Sequence, residues 1–161
     1  MTPPPAKGPR IEPDDHAAFL IVSIANRVSV SASQAYMRCY GVGVMEWRVI
    51  GMLAGRPGAT AKDIAQLSGL DKSAVSRAVN ALIQVGHVAA GGDPDDNRRI
   101  RLQLTPTGQT LHDRIIVASL AREELLLDGF SAAERAAFFG YLRRVAANTA
   151  LVEAHDPALG A

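Results

Sequence analysis

Apolar residues recur at helical spacing along most of this chain and at alternate positions along one short stretch. His16 to Cys39 contains no Gly or Pro, and Leu20, Ile24, Val28, Ser31 and Ala35 recur on one side, predicting a long first helix capped by Asp14 or Asp15. Tyr40 to Gly43 end it, and Val44 to Ala54 form a second helix with Trp47, Ile50 and Leu53 inward. After the turn Gly55 to Gly58, a third helix runs from Thr60 to Ser68, with Thr60 and Asp63 at capping-box spacing and Gly69 closing it. Asp71 caps a fourth helix running to about Val85, where Gly86 supplies a left-handed end. His87 to Ala90 and Ile100 to Leu104 read as two strands joined by GGDPDDNRR; Ile100, Leu102 and Leu104 are inward and Arg101 and Gln103 are wet. Thr105 and Pro106 start a fifth helix, with Leu111, Ile115, Ala118, Arg122 and Leu125 along one side, which Gly129 breaks. Ser131 and Glu134 form a second capping box, and Phe138, Leu142, Val145 and Thr149 mark the inward face of the last helix.

At about 100° per residue, Val75, Ala78, Val79 and Leu82 of the fourth helix fall in one narrow wedge and form its buried stripe. Ser73, Ser76, Arg77, Asn80 and Gln84 lie opposite, with Lys72 in the first turn. That face carries no large apolar group and no carboxylate, and its hydroxyl, amide and guanidinium groups match phosphate oxygens and base edges. Taken alone, the helix is equally compatible with an ordinary solvated face. The hairpin changes the balance, because a ribbon tipped by Arg98 and Arg99 beside such a helix suits a narrow minor groove. Asp96, held near Arg98 or Arg77, would orient a guanidinium by a bidentate pair.

LDKSAVSRAVNALIQVGHV, followed by DPDDNRR and then LTPTGQ, resembles the MarR family of winged-helix transcription regulators over roughly residues 15 to 150. The resemblance implies a mainly α fold with a small β-wing: about six helices, a two- to three-stranded antiparallel sheet, and a winged helix-turn-helix domain joined to a helical dimerisation domain. The family's Asp-x-Arg wing motif falls on Asp96, Asn97 and Arg98, making Arg98 the implied minor-groove finger. Asn97 departs from the pattern, since many members carry Arg there.

The domain reading follows. Residues 1–13 are a Pro-rich flexible arm, 14–40 and 105–154 a dimerisation region, 44–104 the DNA-binding domain, and 155–161 a C-terminal tail. Leu125, Leu126, Leu127, Phe130, Phe138 and Phe139 are more apolar surface than a small winged domain covers, so a homodimer is expected, reading a pseudo-palindromic operator in double-stranded DNA. A net charge of +1 is low for a nucleic-acid binder and predicts a few localised phosphate contacts. The 48% hydrophobic content supports a packed core, and no 18-residue apolar run or signal peptide appears, so a cytoplasmic location without membrane contact is expected.

No catalytic constellation emerges, and the four histidines lack metal-ligand spacing, so neither enzyme activity, metal nor cofactor is expected. Family members commonly respond to an aromatic or phenolic acid or to cysteine oxidation, so the resemblance implies a repressor released by a small-molecule effector. Asn26, Arg27, Met45, Trp47 and Arg48 are candidate lining residues, and each is also compatible with core or surface. Cys39 is the alternative trigger, but it sits at a helix C-terminus, which favours a buried, inert thiol. A protein-interaction module that does not bind DNA is the remaining alternative.

Overall fold

The computed structural model describes residues 10–93, 96 and 99–155. Six α-helices and one hairpin follow in the order α1 (Ala17–Tyr40), α2 (Val44–Gly55), α3 (Ala61–Ser68), α4 (Lys72–Gln84), β1 (Val88–Gly92), β2 (Ile100–Leu104), α5 (Pro106–Leu126) and α6 (Ala132–Ala154). The chain divides into two compact units, one ending at Val117 and the other beginning at Ala118.

In the first unit, local capping chemistry sets most boundaries. Thr60 accepts the Asp63 N–H at 3.1 Å while Asp63 accepts the Thr60 N–H at 2.9 Å, and Gly69 closes α3 at φ 64°. The start of α1 differs from the sequence reading. Asp14 and Asp15 lie in a short 3-10 turn opened by Pro13, and His16 is the cap, its Nδ1 accepting the Phe19 N–H at 3.3 Å. Pro13 fixes the tighter turn, which moves the cap one residue on.

The core of this unit is built from Val49, Ile50 and Leu53 of α2, Ile64 and Ala65 of α3, the α4 stripe, Val88, Leu102, Leu111 and Ile115. Each large aliphatic side chain buried there contributes about 1.5–3 kcal/mol. Trp47, expected inward, is half-buried, and α1 buries Ala32 and Tyr36 instead of the predicted stripe. Leu20, Ile24, Val28 and Ser31 are exposed, since no described residue of this unit covers that side of α1.

The hairpin is antiparallel, pairing Val88 with Leu104 and Gly92 with Ile100. β1 begins one residue after His87 and extends through Gly91 and Gly92, which shortens the predicted loop. Leu102 is buried, whereas Ile100 is 61% exposed, since its cross-strand partner Gly92 offers no side chain to pack on. Gly58 and Ala59 flank the other side of β2: Gly58 N–H donates to Leu102 O at 2.8 Å and Leu102 N–H to Ala59 O at 3.1 Å.

In the second unit, Gly129 (φ 80°) breaks the chain and Ser131 with Glu134 forms the predicted capping box of α6. Arg135 ties the turn, donating to Glu124 at 2.6 Å and to Leu127 O at 3.2 Å. Phe138 is half-buried and packs between Phe130 and Phe139. The rest of the predicted inward face, Leu142, Val145 and Thr149, is exposed, as is Leu125 on α5. Those positions have the right periodicity, but no described residue of this unit covers them.

Candidate nucleic-acid interface

Helix α4 has two opposed sides. Val75, Ala78, Val79 and Leu82 are at most 5% exposed, so the helix cannot roll without unpacking the core. Lys72, Ser73, Ser76, Arg77, Asn80 and Gln84 are all exposed. The N-terminus of α4 is held by Asp71, which accepts the Ser73 and Ala74 N–H groups at 2.9 and 3.0 Å and the Ser73 hydroxyl. The Ser73 hydroxyl first, then the Ala74 N–H, hold the Asp71 carboxyl below its ordinary value. Ser73 Oγ in turn accepts from Arg77 Nη1 at 3.1 Å. Arg77 is thus tethered along its own helix, with most of its five N–H donors still available.

At the wing, Arg99 is exposed; its N–H donates to Asp96 O at 2.9 Å and its carbonyl accepts the Asp93 N–H. Asp96 is exposed. Arg98 and Asn97 lie outside the described residues, and with them the proposed Asp96–Arg98 pairing. Asp93 supplies a pairing that sequence reasoning missed: its buried carboxylate takes Arg101 Nε and Nη2, each at 2.8 Å. The signal was available as opposite charges flanking the hairpin loop. Asp96 stood nearer the arginine pair and drew the assignment.

The effector candidates are only partly brought together. Trp47 stacks on His112 (centroids 5.6 Å, 27° between planes) and meets Tyr36 edge-on at 6.1 Å, while Arg114 lies over Tyr40. Arg48 donates to Ser29 Oγ at 3.0 Å, and Met45 is half-buried on the same helix. Asn26 and Arg27 are exposed on α1 and make none of the described hydrogen bonds or ring contacts. Tyr36 and His112 were not foreseen, because a stack between distant helices has no local signal. A groove of about 440 Å³ lies elsewhere, bordered by Arg56, Gly58, Gln66, Leu67 and Arg101, and none of the five candidates lines it. Cys39 is exposed rather than buried, because it sits in the last turn of α1, beyond the buried Ala32 and Tyr36. Among the described residues, no three His, Cys, Asp or Glu side chains are grouped to hold a metal, and no helix is long and apolar enough to cross a membrane.

A model of the MarR family matches residues 40–99, the stretch that holds α2, α3, α4 and β1. A crystal structure of a MarR/EmrR family transcriptional regulator from Acinetobacter sp. ADP1 is 32% identical, with TM-score 0.82 over 88% of this chain and 99% of that one. This chain belongs to the MarR family of transcriptional regulators. The PcaV regulator of Streptomyces coelicolor, solved in complex with its natural ligand, is 26% identical with TM-score 0.71, covering 88% of this chain and 99% of that one. A protein of Thauera aromatica, provisionally named as the transcriptional regulatory protein for the hcr operon, is 30% identical over 94 residues. That match spans 58% of this chain and 57% of the Thauera protein. Within the matched stretch α4 follows α3 across the Gly69 turn.

Proposed function

We propose that this MarR-family chain is a homodimeric, cytoplasmic transcription repressor that binds a pseudo-palindromic DNA operator and leaves it when a small molecule binds. The observation that carries the reading is α4: one side is locked in the core and the other offers hydroxyl, amide and cationic groups, with no carboxylate and no apolar side chain larger than Ala81, to solvent. In the proposed complex Ser73, Ser76, Arg77 and Asn80 enter the major groove, with Lys72 and Gln84 at the two ends of that face. Arg98 and Arg99 act at the minor groove, and Asp96 orients the wing arginine.

The dimer is supported by uncovered apolar surface. Phe19, Leu20, Ile24 and Val28 of α1 and Leu125, Leu126, Leu142 and Val145 near the C-terminus are exposed in one chain. A second copy covering residues 14–40 and 105–154 removes that surface from water and sets two α4 helices roughly 34 Å apart. The effector is read as an aromatic acid received near Trp47, with Met45, Arg48, Asn26 and Arg27 contributing. Support comes from the aromatic cluster around Trp47 and from the ligand complex of the PcaV relative. The role is regulation rather than catalysis.

A gel shift with the DNA flanking its own gene tests the reading. Asn80→Ala should weaken binding and relax base preference, whereas Arg98→Ala should weaken all sequences alike and reduce the salt slope. Unchanged affinity in both variants would overturn the docking arrangement.

A further inference from the structure

Asp93 is the buried charged residue of the described chain, 3% exposed, and it sits where β1 gives way to the wing loop. A carboxylate withdrawn from water is costly unless paired, and Asp93 takes both Nε and Nη2 of Arg101 on one oxygen. Arg101 stands opposite Gly91 in the ladder, and Asp93 is the diagonal neighbour two residues further along the same face. On the other side of β2 lies Gly58, at φ 85°, where an added Cβ would come within 3.5 Å of Arg101 Nη1 and 3.8 Å of Cδ. The Arg101 side chain therefore runs from Asp93 to van der Waals distance of Gly58, whose positive φ favours glycine. The hydrogen bonds between Leu102 and residues 58–59 flank it directly.

We infer that Arg101 is a positioning residue for the wing: gripped by buried Asp93 and lying against Gly58, its guanidinium braces the hairpin against the α2–α3 turn. The brace stands on geometry alone. Its consequence, that the wing's DNA contacts depend on Arg101, rests on the DNA-binding reading above.

Amide hydrogen exchange on the free protein tests the brace. Arg101→Ala should speed exchange at Gly58 and Leu102 about tenfold, leaving Val79 and Leu82 of α4 unchanged, because charge-assisted hydrogen bonds at the stem are lost. Arg101→Lys should fall between, since an ammonium cannot hold the carboxylate with a rigid fork. Unchanged exchange at Gly58 and Leu102 would overturn the brace.

Asp93→Asn tests the consequence. It raises the net charge by one, so electrostatics alone predicts tighter DNA binding, whereas a released Arg101 predicts binding weakened about tenfold. Combined with Arg99→Ala, its loss should be less than the product of the two single losses. Tighter binding, or losses that multiply, would overturn the positioning role. If the wild-type chain retained no DNA, the regulator reading would fall, while the exchange measurement would still decide the brace.

Discussion

Gly108, in the first turn of α5, is a helical glycine whose replacement by alanine should destabilise the fold. In an unhindered helix the change would stabilise by about 0.5–1 kcal/mol. Here an added Cβ would lie 2.0 Å from the His87 carbonyl oxygen, 2.9 Å from its carbon and 3.3 Å from its Cα, all backbone atoms. Relief needs roughly 1 Å of separation between α5 and the α4–β1 turn, at an overpacking cost of about 1–3 kcal/mol. That movement pulls on the Thr105 N–H to His87 O bond at 3.1 Å and on the Thr105 and Thr107 hydroxyl bonds to Gly86 O at 2.7 and 2.9 Å. Losing two of these adds about 1–3 kcal/mol. After the helix-propensity gain is subtracted, the net loss is about 1–5 kcal/mol, a fall in Tm of about 2–20 °C for a chain of this size. Gly140→Ala is the control, because a Cβ there meets nothing within 4 Å and should be neutral or stabilising. Thermal unfolding followed by circular dichroism reads both. A Tm for Gly108→Ala equal to or above wild type would refute the close approach.

Three further outcomes are expected. Asp63, Asp71, Asp113 and Glu134 are held below their ordinary 3.8 and 4.5 by hydrogen bonds from Thr60, Ser73, His112 and Ser131 respectively. Because the folded-state values are depressed, this stabilisation is present above the ordinary values and lost as pH falls through the folded ones. Denaturant midpoints should therefore decline below about pH 4.5, less steeply in an Asp63→Asn/Asp71→Asn variant; stability that rises on acidification would contradict this. Ile24→Glu on α1 should convert a dimer to monomer in sedimentation equilibrium, and a wild-type chain that sediments as a monomer would remove the reason for the change. Cys39→Ser should leave any peroxide sensitivity of DNA binding intact, and loss of that sensitivity would make the exposed thiol a sensor.

What the sequence disclosed was local or periodic. Thr60 with Asp63, Asp71, and Ser131 with Glu134 cap helices through neighbours three residues away at most, so their roles are written in adjacent letters. The α4 stripe was legible for the same reason, since 3.6-residue periodicity separates its two sides before any tertiary contact is known. Periodicity shows that a face is apolar but not what covers it. Leu20, Ile24 and Val28 on α1 and Leu142 and Val145 on α6 fit the pattern and are uncovered in the single chain. Contacts between distant segments were less visible still: the Trp47–His112 stack and the packing of Gly108 on His87 join residues that nothing in the intervening sequence links. The wing shows the limit most sharply. Asp96 stood closest to the arginines, yet the register carries Asp93, at the end of the strand, diagonally onto Arg101.

Fluorescence anisotropy of labelled DNA from beside the chain's own gene, titrated with wild-type protein and with Arg77→Ala across a salt series, tests the central claim most directly. The account predicts saturable wild-type binding that weakens with salt, and a variant that binds more weakly with a slope shallower by about one. No retention of DNA at low salt, or identical curves for the two proteins, would contradict it.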